Sequence, residues 1–558
     1  MSTDKQVIMQ PENLPKKYQA LFLDIDRGEI KLPMFQRDFV WDKEQTAKLI
    51  DSILKGFPIG TFIFWKTRDE LRSYKNIGNH KLPETPKGDY AHYILDGQQR
   101  ITSLYAVRKG IRITREGKEI DYRDIYIDLE YDAEQDEQIA VAGKPTRNIK
   151  GNVEEKRGIS IHDALTRSMI DLEDDYTKAE RKLIDAYQRA LTSYDFSTIV
   201  IKDYPIEIAC EIFSRINTGG KVLSVFEIMV AKTYDEAQGF DLAKQYDILR
   251  DGTDDDDKEC LRAAKFETIP ATVVMQSVAA ITTKQVRSRD ILKMKREDFI
   301  KNWQPMKDAL FESVDFLRHK LRVPVSQILP YPAVLVPLTY FFHKTKNKKP
   351  TSKQSKLLEQ WFYWVGLNYR YSSASETKLG EDLARMDKII LEDEPRYPQG
   401  ELHVDANEFM EWRFSAGDAC CKTVLCILAF HQPKSFDSTS IVNLDNSNLK
   451  IATSKNYHHF FPKAYLAEHL KSAEPNLMAN ITLIDGYSNN TIGKKPPSQY
   501  IAKFTKDNGD IKEALESHVI GDLDDFGISN NDYESFIEKR SQAIVKILNK
   551  KLMPFKSS

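Results

Sequence analysis

Cysteine, net charge and long apolar runs are all scarce in this chain. Cys210, Cys260, Cys420, Cys421 and Cys426 are the only five cysteines in 558 residues. Their number is odd and no CxxC spacing occurs, which argues against a disulfide framework and a zinc knuckle. Buried thiols in a reducing cytosol are expected instead. The longest apolar stretch, "ILPYPAVLVPLTYFF" from Ile328 to Phe342, carries three prolines and is too short to span a bilayer, so it predicts a buried helical element. The opening "STDKQVIMQPENLPKKYQ" has no apolar core of the signal-peptide kind. A cytoplasmic protein without a membrane partner is the expectation. The net charge is only -2, so any nucleic-acid contact must come from local basic patches rather than from the bulk field.

What is present is ordinary globular composition, 41% hydrophobic and 29% charged, over a length that suggests about three or four units. Three domains are expected: 1–238, 239–400 and 401–558. The first reads as mixed α and β. "DKEQTAKLIDSILKGFPIG" puts Ala47, Ile50, Ile53 and Leu54 on one helical face, with Gly56 past the end. "TFIFWK", "HYIL" and "FSTIVIKDYP" read as strands. "DIYIDLEYD" alternates, with Ile125, Ile127 and Leu129 on one face. "IEIACEIFSRINTGG" reads as a helix closed by glycines, and Ser224 with Glu227 as a capping box opening the next. The acidic run around Asp254 reads as a solvated loop. The second region is helical, with Trp361, Trp364 and Tyr369 expected in its core. "HKTKNKKPTSKQSK", from His343 to Lys356, is the one concentrated basic segment and reads as a solvated connection between helices, with phosphate contact as the alternative. In the third region, "ACCKTVLCILAF" is expected to bury Cys421, Val424, Leu425 and Leu428.

Two stretches carry more chemistry than a fold needs. In "HYILDGQQRITSLYAV", a strand ends in Asp96-Gly97-Gln98-Gln99-Arg100 and a helix starts at once. Gly97 lets the backbone bend, and Gln98, Gln99 and Arg100 offer donors beside a helix N-terminus, where anions are favoured. With an acid just before them, this suits a phosphate plus a metal or water. A phosphate loop of the G-x-x-x-x-G-K type is absent. The second stretch is "NYHHFFPKAYL" followed by "NLMANITLIDGYSNNTIGKKPPSQY". Histidine, asparagine and asparagine across two strands and a helix meet the needs of a one-metal nuclease. A neutral imidazole near its ordinary pKa can take a proton from water, and a metal with few protein ligands can stabilise phosphate charge.

The C-terminal stretch resembles the HNH (ββα-metal) endonucleases in their GmrD-type form. That resemblance implies His459 as general base, Asn490 as metal ligand and Asn480 as the residue that orients the loop. His458 stands where many members carry an acidic ligand, and imidazole favours Mn, Ni or Zn over Mg. A regular strand sends His458 and His459 to opposite faces, so both serve one site only if it bends.

The N-terminal half resembles the ParB-like GmrS-type domain of modification-dependent restriction systems. Pro33 to Trp41, Asp96 to Arg100 and Phe213 to Gly220 carry the match. It implies an α+β multidomain protein: a ParB-like α/β N-terminal domain, a helical middle region, and a mostly helical C-terminal domain containing the ββα-metal motif. It further implies nucleoside triphosphate hydrolysis coupled to cleavage of double-stranded, modified phage DNA, with a divalent metal (Mg or Mn, with Ni or Zn as further options). The preferred nucleotide stays open, and a homodimer is one assembly it allows. On this match Asp96 positions metal or water, and Gly97, Gln98, Gln99 and Arg100 hold phosphates. Gln36 and Arg37 are candidates for a nucleotide- or DNA-sensing wall, and Arg215, Asn217, Gly219 and Gly220 for closing the pocket. The alternative reading is a nucleotide-switched DNA-binding or modification-sensing effector that nicks unmodified DNA or does not cut.

Overall fold

In a computed structural model of the chain, the apolar face around Ile50 becomes the helix Lys43–Leu54. Asp42 accepts a hydrogen bond from the Gln45 amide (2.7 Å) and donates its own to the Gln45 side chain (3.2 Å), a reciprocal cap that fixes where the helix starts. Ala47, Ile50 and Ile53 are buried along it. The structure describes the chain except residues 1–9, 34–38, 69–70, 72, 75, 78–79, 82, 84–88, 116–117, 150–151, 217–223, 236, 254–258, 399–400, 450–456 and 556–558. It divides into two units, Met1–Glu236 and Ala237–Ser558.

The first unit is built on a mixed sheet. Its strands run in the order Glu12–Asn13, Thr198–Lys202, Phe62–Thr67, Ala91–Asp96, Ile30–Pro33 and Ser73–Tyr74. Phe62–Thr67 pairs in parallel with Thr198–Lys202 and antiparallel with Ala91–Asp96, which in turn pairs in parallel with Ile30–Pro33. Phe62, Phe64 and Ile94 are fully buried, as expected for central strands covered on both faces. The antiparallel pairing slips between Ile63 and Phe64, opposite Asp96. A smaller antiparallel sheet joins Ala140–Ala142, Ile125–Asp128 and Gly158–Ser160. Ile125 and Ile127 are buried there, but Leu129 lies beyond the strand end and is partly buried. The helices Ile206–Ile216 and Val225–Thr233 follow, the latter opened by the Ser224–Glu227 capping box. The acidic run at Asp254 and the glycine pair lie outside the described residues.

The second unit is helical. The apolar Ile328–Phe342 stretch forms a short turn at Pro332–Val334 and the buried start of the helix Leu335–Lys344. Among the described residues no helix is long and apolar enough to cross a membrane. The basic segment connects this helix to Ser352–Leu367. Trp361 and Trp364 are core residues, but Tyr369 is not. It sits just past the helix end with φ +48° and its side chain is 46% exposed, because the helix stops at Leu367 and the chain turns away. All five cysteines are free and buried, and Cys421, Val424, Leu425 and Leu428 face the core. Residues 239–400 and 401–558, expected as separate domains, lie in one compact unit. The last helix, Tyr533–Leu552, ties them together: Gln360 donates to the Leu552 carbonyl (2.7 Å) and Lys551 pairs with Glu359 (2.6 Å).

Candidate functional site

The Asp96–Arg100 corner lies where a central strand meets the helix Gln98–Lys109. Gly97 caps that helix at φ +92°, and a Cβ there would stand 2.2 Å from the Phe62 ring. Only glycine fits both the backbone and the space. Arg100 turns inward: it donates to the Ile59 carbonyl (2.6 Å), to the Thr61 carbonyl (3.0 Å) and to Asp96 (2.9 Å), and it lies over the Phe62 ring. The Gln99 side-chain oxygen accepts from the Val40 amide (2.8 Å) and the Trp41 amide (3.4 Å). Gln98 is buried.

Arg100 and Gln99 thus brace the segments around the corner, where sequence reading expected them to hold phosphate oxygens. The reason is local. A guanidinium at the end of the first helical turn reaches back to the strand that the bulge has displaced. Arg215 is exposed and pairs with Glu211 at 2.6 Å, one turn back on its own helix. Gln36, Arg37, Asn217, Gly219 and Gly220 lie outside the described residues.

In the second unit, the strand Tyr457–His459 pairs antiparallel with Ile481–Leu483, and the helix Gly486–Ile492 follows. His459 faces Ile481 across the pair, and Tyr457 faces Leu483. Asp485 caps the helix by accepting from the Ser488 amide (2.8 Å), which fixes its first turn. Asn480 is fully buried and clamps the intervening loop. Its oxygen accepts from the Phe461 amide (2.8 Å), and its nitrogen donates to the carbonyls of Phe461 (3.0 Å) and Pro475 (2.9 Å).

The two imidazoles have different partners. His458 Nδ1 meets the side-chain oxygen of Asn489 at 3.0 Å, and its Nε2 is buried with no hydrogen-bond partner. His459 Nε2 meets the side-chain oxygen of Asn476 at 3.1 Å. Asn476 Nδ2 donates to the Phe414 carbonyl (2.9 Å), so its oxygen is the atom that faces the ring. An oxygen acceptor calls for an N–H donor. His459 therefore carries its proton on Nε2 and keeps a lone pair on Nδ1, while His458 carries its proton on Nδ1 and keeps a lone pair on Nε2.

Burial pushes His458 down to about 3 and His459 down to about 4, in the latter case against the opposing Asn476 hydrogen bond. Both rings are neutral at neutral pH, well below the ordinary histidine value that sequence reading supposed. Asn490, expected beside the histidines, is exposed. Asn489 takes that place, because adjacent helical residues project about 100° apart. Among the described residues no group of three or more His, Cys, Asp or Glu is placed to hold a metal ion. Any cation here would rest on His458 Nε2 and non-protein ligands, because the Asn489 oxygen meets the opposite ring nitrogen.

Residues 18–234 match the family described as GmrSD restriction endonuclease, N-terminal domain. The match takes in most of the first unit. An uncharacterized protein of the archaeon Methanocaldococcus jannaschii is 23% identical over 587 residues, covering 93% of this chain and 96% of that one. That likeness extends well beyond the GmrSD domain into the second unit. Within the GmrSD domain, the match encloses the Asp96–Arg100 corner and the helix bearing Arg215. Sequence reading did not single out Asn476, which belongs to no pattern, and named Asn490 where the structure brings Asn489 against His458. The signal for Asn489 was available: with Asp485 as the cap, helical phase separates the two asparagines.

Proposed function

We propose that the protein is a nucleotide-dependent DNA endonuclease of the restriction type, acting against foreign, chemically marked DNA. The GmrSD match supports a restriction-type defence protein. The strand–strand–helix unit with a buried imidazole nitrogen left without a partner supports the nuclease. That nitrogen, His458 Nε2, is the single observation on which the reading rests. A buried acceptor without a donor is costly, and a cation would satisfy it.

His458 would hold the divalent metal through Nε2, with Asn489 fixing the ring from its Nδ1 side and Mn, Ni or Zn suited to the imidazole donor. When bound, that ion supplies charge stabilisation at the scissile phosphate and the leaving oxygen. His459 acts as general base through Nδ1, taking a proton from the attacking water. Asn476 holds the ring in the tautomer that leaves Nδ1 unprotonated. Asn480 keeps the loop between the strands in register, so that the two histidines stay at fixed separation.

In the first unit, nucleoside triphosphate hydrolysis is assigned to the Asp96–Arg100 corner. Asp96 positions water or metal, and the backbone at Gly97 and Gln98 receives phosphate at the helix start. Gln99 and Arg100 hold the corner's shape, while Gln36, Arg37, Arg215 and Asn217 complete the pocket walls. Coupling the two activities keeps the nuclease quiet until nucleotide and DNA both engage.

The test is cleavage of plasmid and of phage DNA with and without base modification, across nucleotides and divalent metals. Cutting that depends on metal and nucleotide, favours marked DNA, and is lost in both His459→Ala and Asp96→Ala is the expected result. Equal cutting of both DNAs removes modification dependence. Undiminished cutting without nucleotide removes the coupling, and undiminished cutting by His459→Ala removes the catalytic site.

A further inference from the structure

The second unit contains a half-open cavity of about 570 Å³ whose walls include Tyr369, Trp412, Arg413 and Asp418. That volume is in the range that bound small molecules occupy, about 300–1,000 Å³. Its wall is shared with the histidine site. Phe414 donates its amide to the Asn476 carbonyl (2.8 Å) and accepts from the Asn476 side chain (2.9 Å), and that side chain in turn holds His459 (3.1 Å). The Met478 amide donates to the Trp412 carbonyl (2.7 Å). The strip from Trp412 to Ser415 is therefore cavity wall on one side and clamp of the catalytic loop on the other.

The lining has a definite chemistry. Trp412 packs against Phe409 with ring centroids 5.0 Å apart and the planes tilted by 49°. Tyr369, also in the lining, is in the left-handed region at φ +48°, a conformation that a bulky residue adopts only when other contacts impose it. Its hydroxyl donates to Asp418 Oδ2 (2.9 Å). Asp418 Oδ1 is fixed by the Cys421 amide (2.9 Å), so the carboxylate cannot rotate. One fixed acceptor thus shares the cavity lining with two aromatic side chains. Arg413 pairs with Glu474 at 2.9 Å while its side chain remains 75% exposed. The two thiols in the wall stay protonated, since burial pushes Cys420 up to about 11 and Cys421 up to about 12. This removes a thiolate or soft-metal role.

We infer that this cavity receives one extrahelical nucleobase of the bound DNA, one that offers an amino group to Asp418. The inference rests on the DNA-cleavage reading above. Enzymes that inspect a base take it out of the stack and hold it between aromatic side chains while reading its hydrogen-bonding edge. A carboxylate accepts from the exocyclic amine of cytosine or adenine and repels the carbonyl edge of thymine. Arg413 meets the phosphate beside the extruded base. Filling the cavity presses on the Trp412–Ser415 strip and thereby on Asn476, which links base reading to the ring that cuts.

The experiment measures anisotropy binding of full-length protein carrying His459→Ala, so that DNA survives. It uses a matched duplex, the same duplex with one bulged cytosine, and one with a bulged thymine. Preference for bulged cytosine by about tenfold over both others is expected, and Trp412→Ala removes it without changing matched-duplex affinity. Asp418→Asn is the decisive variant. Asparagine keeps the helix cap through Oδ1 and puts an N–H where Oδ2 was, so preference passes from bulged cytosine to bulged thymine. A merely structural Asp418 would lower all three affinities together. That outcome, or no preference in the parent protein, overturns the inference while leaving the nuclease reading standing. Failure to bind any duplex overturns both.

Discussion

The two candidate sites contain similar residue types and use them in opposite ways. At the Asp96–Arg100 corner the polar side chains face inward: Arg100 meets two carbonyls and Asp96, and Gln99 meets two backbone amides. At the strand–strand–helix unit, Asn480 and Asn476 do that bracing work, and each histidine keeps a nitrogen lone pair uncommitted. A motif can therefore shape a site without touching a ligand. In the first unit the recognisable side chains are largely scaffold; in the second, scaffold and reactive groups are different residues.

This contrast is open to attack at several points. The largest effect is expected at His459. His459→Ala should slow DNA cleavage about a thousandfold, the range for loss of a general base, with unfolding by urea unchanged. A rate within a few-fold of the parent would return His459 to the scaffold class. Next comes Gly97→Ala. Its Cβ meets the Phe62 ring on a backbone that disfavours side chains, so a stability loss of about 3 kcal/mol is expected in denaturant titration. A neutral result would mean that the corner is looser than its packing indicates.

A smaller effect separates neighbours. Asn489→Ala should weaken metal binding about tenfold or more in calorimetry, while Asn490→Ala leaves it unchanged. The reverse pattern would reinstate the original assignment of Asn490. Asn476→Ala should lower kcat by about tenfold to a hundredfold with KM for DNA unaltered, and Asn476→Asp, which keeps the acceptor for His459 but loses the donor to the Phe414 carbonyl, should restore only part of it.

The smallest effect per residue is in pH dependence. Burial lowers the pKa of His92 to about 4 in the first unit and of His518 to about 4 in the second, where His458, His459, His343 and His431 are lowered too. These rings are neutral when folded and take up protons near pH 6.5 when unfolded. For His92, His459 and His518 the contribution is complete above about pH 6.5 and is lost as pH falls toward about 4, by at most about 1.4 kcal/mol per pH unit for each, and the other rings act in the same direction. Hydrogen exchange of core amides at pH 7 and 5 should show the second unit losing more protection than the first. Equal losses would show that the extra histidines are not held neutral.

Much of the fold was legible in the chain. The helix around Ile50, the strands at Phe62, Ala91 and Thr198, and the Ser224–Glu227 cap all follow from periodicity and cap chemistry. Tyr369 was misjudged because a continuous aromatic pattern does not reveal a helix that ends at Leu367. The grouping of 239–400 with 401–558 in one compact unit is likewise invisible to a local pattern. The regions are joined by contacts distant in sequence: the final helix returns onto Ser352–Leu367, Tyr369 meets Asp418, and Lys265 meets Asn443.

Local rules follow from neighbours in the chain, and for that reason the amino-acid order alone determined the elements, the His–His–Asn succession and the glycine at the strand–helix corner. Which asparagine meets which ring was decided by tertiary structure. Asn476 reaches His459 across a loop, and Asn489 reaches His458 from a separate helix. Hydrogen bonds are short and directional, so a turn of one residue changes the partner. No linear pattern records that.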